Sequence, residues 1–305
     1  MSDYNYEHFS REQLREWRSE SFAGPEPGEE APGFKGTLLE GKSLRLSDFR
    51  GNKNVLLLFG SATCPMTAAS IGAINELYDQ LRVGDVEFVF VYVREAHPGE
   101  RIPAHDSTSD KVAAAWLLSK EEQLEMPVVV DDLRGSIHRK YGKLPNPAFL
   151  IDKSGRIAFR SMWTNPEELA AGLEELLELQ QERKIDHAIV RGGEDLSMPF
   201  SYSSLNSYRA LERGGKDSIR DFQAAVGLST RDQRTASGLA DELMEHPGHV
   251  LAVIALSGAV LAGGLYAGFE LRRRRLGTRK NPYRAYEKEK VRDTETGTEY
   301  GAVGI

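Results

Sequence analysis

The chain has 305 residues, a formal net charge of −7, 40% hydrophobic residues and one cysteine. That length suggests one or two domains with appendages. The acidic balance, with no stretch of interleaved basic and aromatic residues in the main part, argues against a nucleic-acid surface. A single cysteine excludes an internal disulfide framework and a CxxC pair; an unpaired thiol sits most easily in a reducing compartment.

Residues 1–30 read as a flexible, acidic lead-in containing Gly and Pro, without the apolar stretch of a signal peptide. Tyr4, Phe9, Leu14, Trp17 and Phe22 have the spacing of a weak amphipathic helix, expected as a surface appendage. From 31 to 183, strand and helix signals alternate. Leu44–Phe49 follows a Gly-Lys turn, Val55–Phe59 is a buried central strand, and Ile71, Ile74, Leu77, Tyr78 and Leu81 mark a helix. Val86–Val93 is β-branched and aromatic, hence a second buried strand. Asp110–Gln123 has helical spacing, with Val112, Trp116 and Leu117 expected on its buried face. Pro127–Val130 is extended, and Ser136–Tyr141 fits a helical turn. Ala148–Ile151 and Arg156–Ser161 flank the hairpin turn Asp152-Lys153-Ser154-Gly155. Asn165-Pro166-Glu167-Glu168 opens a helix with an N-cap, a proline at N1 and an early acid, and Leu169, Leu173, Leu176 and Leu177 form its stripe. This order describes an α/β, thioredoxin-like fold.

Residues 184–248 read as a linker with short helices at Ser218–Val226 and Ser237–Met244. Val250–Phe269 is then twenty residues without a charge, followed by four consecutive arginines at 272–275. Such a run can cross a bilayer core of about 30 Å, and a basic collar is typical of a span. A single transmembrane helix is expected at 249–270, with a basic, polar tail at 271–305. Gly264 and Gly268 make a GxxxG face able to pair two copies into a homodimer. The basic cluster predicts a cytoplasmic tail. However, the span emerges only after some 250 residues with no export signal, which favours a single-pass membrane protein with its main domain on the cytoplasmic face.

Cys64 is the candidate reagent. It lies between the end of a strand and the start of a helix, with Pro65 suited to the first helical position. Unpaired N–H groups and the positive end of the helix dipole there can lower a thiol below its free value of roughly 8.5. The alternative is a buried structural cysteine. Arg94 reads as a solvated charge at a strand end, and His138, beside Arg139 and Lys140, as a surface residue.

Several ordered pieces resemble one family. Ala31-Pro32-Gly33-Phe34 and Gly41-Lys42-Ser43-Leu44 look like the entry to redoxins. Phe59-Gly60-Ser61-Ala62-Thr63-Cys64-Pro65, Tyr92-Val93-Arg94-Glu95-Ala96-His97, His105, Tyr141-Gly142-Lys143-Leu144-Pro145 and Trp163-Thr164-Asn165-Pro166 resemble the iodothyronine deiodinases. The resemblance implies that Cys64 occupies the place of a nucleophilic selenocysteine. It also implies that His97 and Glu95 belong to the catalytic segment; just past a strand end, His97 could serve as proton donor to the leaving group or hydrogen-bond partner to a substrate hydroxyl, with Glu95 orienting it. His105, Ser61, Thr63 and Pro145 would line the substrate site, Pro145 as a cis proline. Cysteine for selenocysteine, Ala62 in place of an extra cysteine, and a C-terminal rather than N-terminal span are departures. They leave thyroid hormone in doubt as the substrate.

The resulting expectation is a membrane-tethered, single-cysteine oxidoreductase. It needs no metal or bound cofactor and takes electrons from an external thiol reductant such as glutathione or thioredoxin, because no second cysteine can resolve the oxidised sulfur. A small-molecule or peroxide substrate, a disulfide or a halogenated compound would be reduced. Ser61, three residues before Cys64, stands where peroxiredoxins place a hydroxyl, although Leu57 replaces their leading proline. The competing reading is a catalytically inactive, membrane-anchored binding or scaffold protein on the same fold.

Overall fold

The computed structural model describes residues 4–19, 23–82, 84–190 and 208–226. The expected span at 249–270, its Gly264–Gly268 face, the tail at 271–305 and the helix expected at Ser237–Met244 lie outside the described residues. Among the described residues no helix is long and apolar enough to cross a membrane.

Helix α1 (Arg11–Ser19) precedes strands β1 (Lys35–Leu38), β2 (Ser43–Arg45) and β3 (Asn54–Gly60). Then come α2 (Pro65–Leu81), β4 (Val86–Tyr92), α3 (Thr108–Glu121) and β5 (Val128–Val130). The hairpin β6 (Ala148–Ile151) and β7 (Ile157–Ser161) follows, then α4 (Pro166–Arg183). A helical stretch at 208–214 (α5) and helix α6 (Lys216–Val226) complete the described chain. The seven strands form one sheet in the order β2-β1-β5-β4-β3-β6-β7. Strands β3, β4 and β5 are parallel, and the outer strands on both sides run antiparallel.

Every residue of β3 is buried, which explains its unbroken apolar run: a central parallel strand is covered on both faces. Val55, Leu57 and Phe59 join Val89, Val91, Phe149 and Ile151 in one core, closed by Leu44 of β2 and by Phe34, Leu46 and Tyr141 from the connections between elements. The alternate residues face the helices: Tyr78 of α2 meets Phe88 edge-on at 5.4 Å, and Gly172 of α4 sits against Leu150 and Phe159. Asn75 of α2 donates to the Glu122 carbonyl just past α3.

Two helices differ from their sequence reading. In α3 the buried positions are Lys111, Ala114, Ala115 and Leu118, whereas Trp116 and Leu117 are exposed. Lys111 must lie inward because its Nζ donates to the Asp132 carbonyl at 3.0 Å. The small alanines allow α3 to sit close to the sheet, so hydrophobic bulk misidentified the face. The N-terminal segment, expected as a flexible lead-in and surface appendage, is packed instead. Tyr4, Phe9 and Trp17 are buried, because their rings have partners on loops far away in sequence.

Candidate active site

The site lies where β3 ends. A side chain at Gly60 would come within 2.6 Å of Thr67 and Phe90, so only glycine lets the chain turn here into α2. Ser61, Ala62 and Thr63 make that turn, closed by Cys64 N–H donating to the Ser61 carbonyl at 3.3 Å. Cys64 is the N-cap of α2 in extended backbone geometry, and Pro65 begins the helix, where its missing N–H costs nothing.

The segment after β4 is stitched to this turn. Ala96 N–H donates to Ser61 Oγ at 3.1 Å, and His97 N–H to Thr63 Oγ1 at 3.0 Å. Glu95 lies beneath it. Its Oε2 accepts from Thr63 N–H at 2.9 Å and from the Thr63 hydroxyl at 2.6 Å. Its Oε1 takes the Tyr92 hydroxyl and lies 3.0 Å from His105 Nε2. Tyr92 in turn accepts from Ala62 N–H at 3.3 Å. Burial alone would raise the Glu95 carboxyl, but hydrogen bonds from His105, Thr63 and Tyr92 and the adjacent His105 ring hold it below its usual value. A fully bonded carboxylate is therefore kept ionised inside the protein.

Cys64 is 1% exposed. Burial pushes its thiol up, opposed by the Met66 and Thr67 N–H groups and the Thr67 hydroxyl, which favour the anion. The thiol makes no cap hydrogen bond. The expected lowering of this thiol is thus reversed in the closed structure: desolvation outweighs the helix terminus.

His97 is also sealed. Its ring lies 4.1 Å from that of Phe9, 5.2 Å from Phe222 and 5.9 Å from Trp17. Burial pushes it down to about 3, so it is a neutral imidazole at neutral pH. Glu95 orients His105 and the Cys64 turn, not His97, contrary to the sequence reading. The Thr63 and Ser61 side chains are likewise taken up within the turn. Pro145 is buried in the approach to β6, but no cis peptide bond occurs among the described residues. Asn146 shapes that approach instead, donating to the Phe59 carbonyl at 2.9 Å and accepting from Thr164 N–H at 3.1 Å.

Two residues read as solvated are buried. Arg94 donates to the Tyr4 carbonyl and lies 5.1 and 5.0 Å from the rings of Tyr4 and Tyr6. His138 is fully buried, its Nδ1 2.7 Å from the Tyr4 hydroxyl and its Nε2 2.6 Å from the Leu144 carbonyl. Both are covered by the N-terminal segment, which the sequence reading left outside the domain. That reading also missed Tyr92, hidden within a strand pattern, and Phe222, which enters from a supposed linker. Among the described residues no cluster of His, Cys, Asp and Glu could hold a metal ion.

The profile of the family described as iodothyronine deiodinase matches residues 9–176. The chain is similar to the thiol-disulfide oxidoreductase ResA of Bacillus thuringiensis, 35% identical over 133 residues, covering 43% of this chain and 67% of the relative. It is also similar to the type I iodothyronine deiodinase of Xenopus laevis, 29% identical over 160 residues, covering 48% and 62%. The chain thus spans less than two thirds of that deiodinase. Among solved structures, a secreted Mycobacterium tuberculosis disulfide oxidoreductase is 18% identical, with 47% of this chain and 96% of that one covered at a TM-score of 0.38.

Proposed function

Because this thioredoxin-fold chain belongs to the iodothyronine deiodinase family, we propose that Cys64 is the nucleophile of a single-thiol oxidoreductase. Its substrate is a peroxide, a disulfide or a halogenated small molecule, and its electrons come from an external thiol. The observation that carries this reading is the seat of Cys64 at the start of α2, with the Met66 and Thr67 N–H groups and the Thr67 hydroxyl disposed to favour the thiolate. Glu95 acts as a positioning residue, holding the turn through Thr63.

In the reaction the thiolate attacks an oxygen, sulfur or halogen atom of the substrate, whose bond to that atom breaks as the leaving fragment takes the electron pair and a proton. Sulfur is left carrying the transferred atom or fragment. A thiol of the reductant displaces it, forming a mixed disulfide, and a second thiol frees Cys64 as the reductant's own disulfide departs. The chain's single cysteine makes the outside thiol obligatory. The apolar stretch at 249–270 would tether the enzyme, with its catalytic face towards the cytoplasm; protease accessibility in sealed vesicles tests that orientation.

The test of the nucleophile is turnover of hydrogen peroxide, an organic hydroperoxide, a model disulfide and an iodinated phenol with glutathione or dithiothreitol. Cys64→Ser must abolish whichever activity is found, and unchanged activity refutes the role. The second reading, an inactive binding module, is favoured by the burial of Cys64. Turnover separates them, since an inactive module consumes none of these substrates with either thiol.

A further inference from the structure

Three features of the closed site have no part in the reading above. The first is a roof. Phe9 from the segment before α1, Trp17 from α1 and Phe222 from α6 surround the His97 ring, and all three belong to or pack on the apolar cluster that contains Cys64. The family match ends at residue 176, so α6 adds a wall to the site from beyond the family's shared region.

The second feature is that this wall is anchored. Glu100 caps the start of α6 by accepting from the N–H groups of Lys216 at 2.7 Å and Asp217 at 2.8 Å. The Ser218 hydroxyl donates to the His97 carbonyl at 2.8 Å. His8 of the arm reaches Asp221 of α6 at 2.9 Å, joining the two halves of the roof.

The third is unmet polarity. Trp17 Nε1, Trp163 Nε1 and His97 Nδ1 are buried without a partner, and the three residues are 7%, 7% and 3% exposed. Groups of this kind are ordinarily satisfied; here Trp17 and Trp163 share the apolar cluster of Cys64, and the His97 ring packs against Trp17. Two of them are obligate donors.

We propose that the roof selects the substrate, and that Cys64 is served by a small organic hydroperoxide whose apolar body lies against Phe9, Phe222 and Trp163. This rests on Cys64 being the nucleophile. A protein disulfide needs an open surface, and Cys64 has none. Hydrogen peroxide, hydrated like water, gains nothing from aromatic walls. An alkyl or aryl hydroperoxide offers an apolar body for the rings and oxygen acceptors for the indole donors. When sulfur attacks the outer oxygen, the O–O bond breaks and negative charge develops on the leaving alkoxide, where N–H donors help most. Attack on a ring-bound halogen instead leaves charge on carbon, which needs an acid, and the buried neutral His97 is a poor one. The thiol proton ends on the alcohol, sulfur is oxidised to the sulfenic acid, and two equivalents of the external thiol return it to the thiol with release of water and a disulfide.

The test uses the full chain, with Cys64 oxidation trapped by dimedone and read by mass. Cumene hydroperoxide should react at least about tenfold faster than hydrogen peroxide at equal concentration, the scale of discrimination an apolar pocket provides. Phe222→Ala should bring the two rates together, Phe222→Leu should largely preserve the ratio, and Trp163→Phe should slow cumene hydroperoxide selectively. Equal or faster reaction of hydrogen peroxide with the unaltered chain overturns the proposal. So does thiol-dependent iodide release from an iodinated phenol in the absence of hydroperoxide turnover. In either case the role of Cys64 as nucleophile survives. If Cys64 reacts with none of these reagents and is not alkylated in the native chain at pH 9, both readings fall.

Discussion

Glu95 accepts both the N–H and the hydroxyl of Thr63, at 2.9 and 2.6 Å, and so holds the residue next to Cys64 from two sides. The same carboxylate receives Tyr92 and faces His105. Glu95→Ala leaves these groups facing a void. Breaking a buried charged network in this way costs about 3–5 kcal/mol. Glu95→Gln keeps the shape but turns an amide N–H₂ towards groups that need an acceptor, at a cost of about 1–3 kcal/mol. Urea unfolding gives the two values. A Glu95→Gln chain as stable as the parent would show that the carboxylate does not hold the turn.

Cys64 should label slowly at neutral pH, with its half-maximal rate above that of a free thiol, because burial outweighs the donors at the start of α2. The Thr67 hydroxyl favours the thiolate, so Thr67→Val should move the profile further up. Iodoacetamide kinetics between neutral and alkaline pH measure both. A profile that moves down in Thr67→Val would mean that the hydroxyl does not stabilise the anion.

The central strands, the Cys64-Pro65 turn and the hairpin were legible because each rests on local pattern: an unbroken apolar run, a proline at N1, a glycine with φ +85° at Gly155. Glu95 and His105 were legible only as parts of a family pattern, and their contact with each other rather than with His97 was not. The roof was hidden for a different reason. Phe9, buried, and Phe222, half-buried, pack on each other across more than two hundred residues and on His97, and neither segment has enough apolar residues to announce a core of its own. Lys111 shows the same limit from the polar side. Its burial is offset by Asp131, Asp132 and Glu95 nearby, and nothing at helical spacing reveals such partners.

Acid should loosen the closed site. Unfolded, His97 takes up a proton near 6.5; folded, it resists until about 3. Between those values the unfolded chain holds more protons, so stability falls as pH falls, by at most about 1.4 kcal/mol per pH unit for one such group. His138 is depressed in the same sense, and the lowered Glu95 acts in the same direction at lower pH. Unfolding midpoints at pH 7.5, 6.0 and 4.5 should decline steadily. His97→Leu should flatten the decline by up to one proton's worth, and an unchanged slope would mean that His97 is accessible to protons in the folded chain.

Tyr4 fixes the beginning of the arm. Its hydroxyl lies 2.7 Å from His138 Nδ1 and accepts from Arg94 N–H at 3.2 Å, while the guanidinium of Arg94 stacks over its ring. Tyr4→Phe keeps the ring and strands two buried polar atoms, at a cost of about 1–3 kcal/mol. Tyr4→Ala also removes a fully buried aromatic and should cost about 3–5 kcal/mol. If the arm is part of the roof, that loss falls first on the local opening that uncovers Cys64, because the segment can detach while the sheet stays intact. Native-state iodoacetamide labelling should then quicken in the order parent, Tyr4→Phe, Tyr4→Ala, with the urea midpoint of the domain moving far less. Labelling that quickens only in proportion to global unfolding would show that the arm and the sheet open as one unit, leaving no separate gate over the thiol.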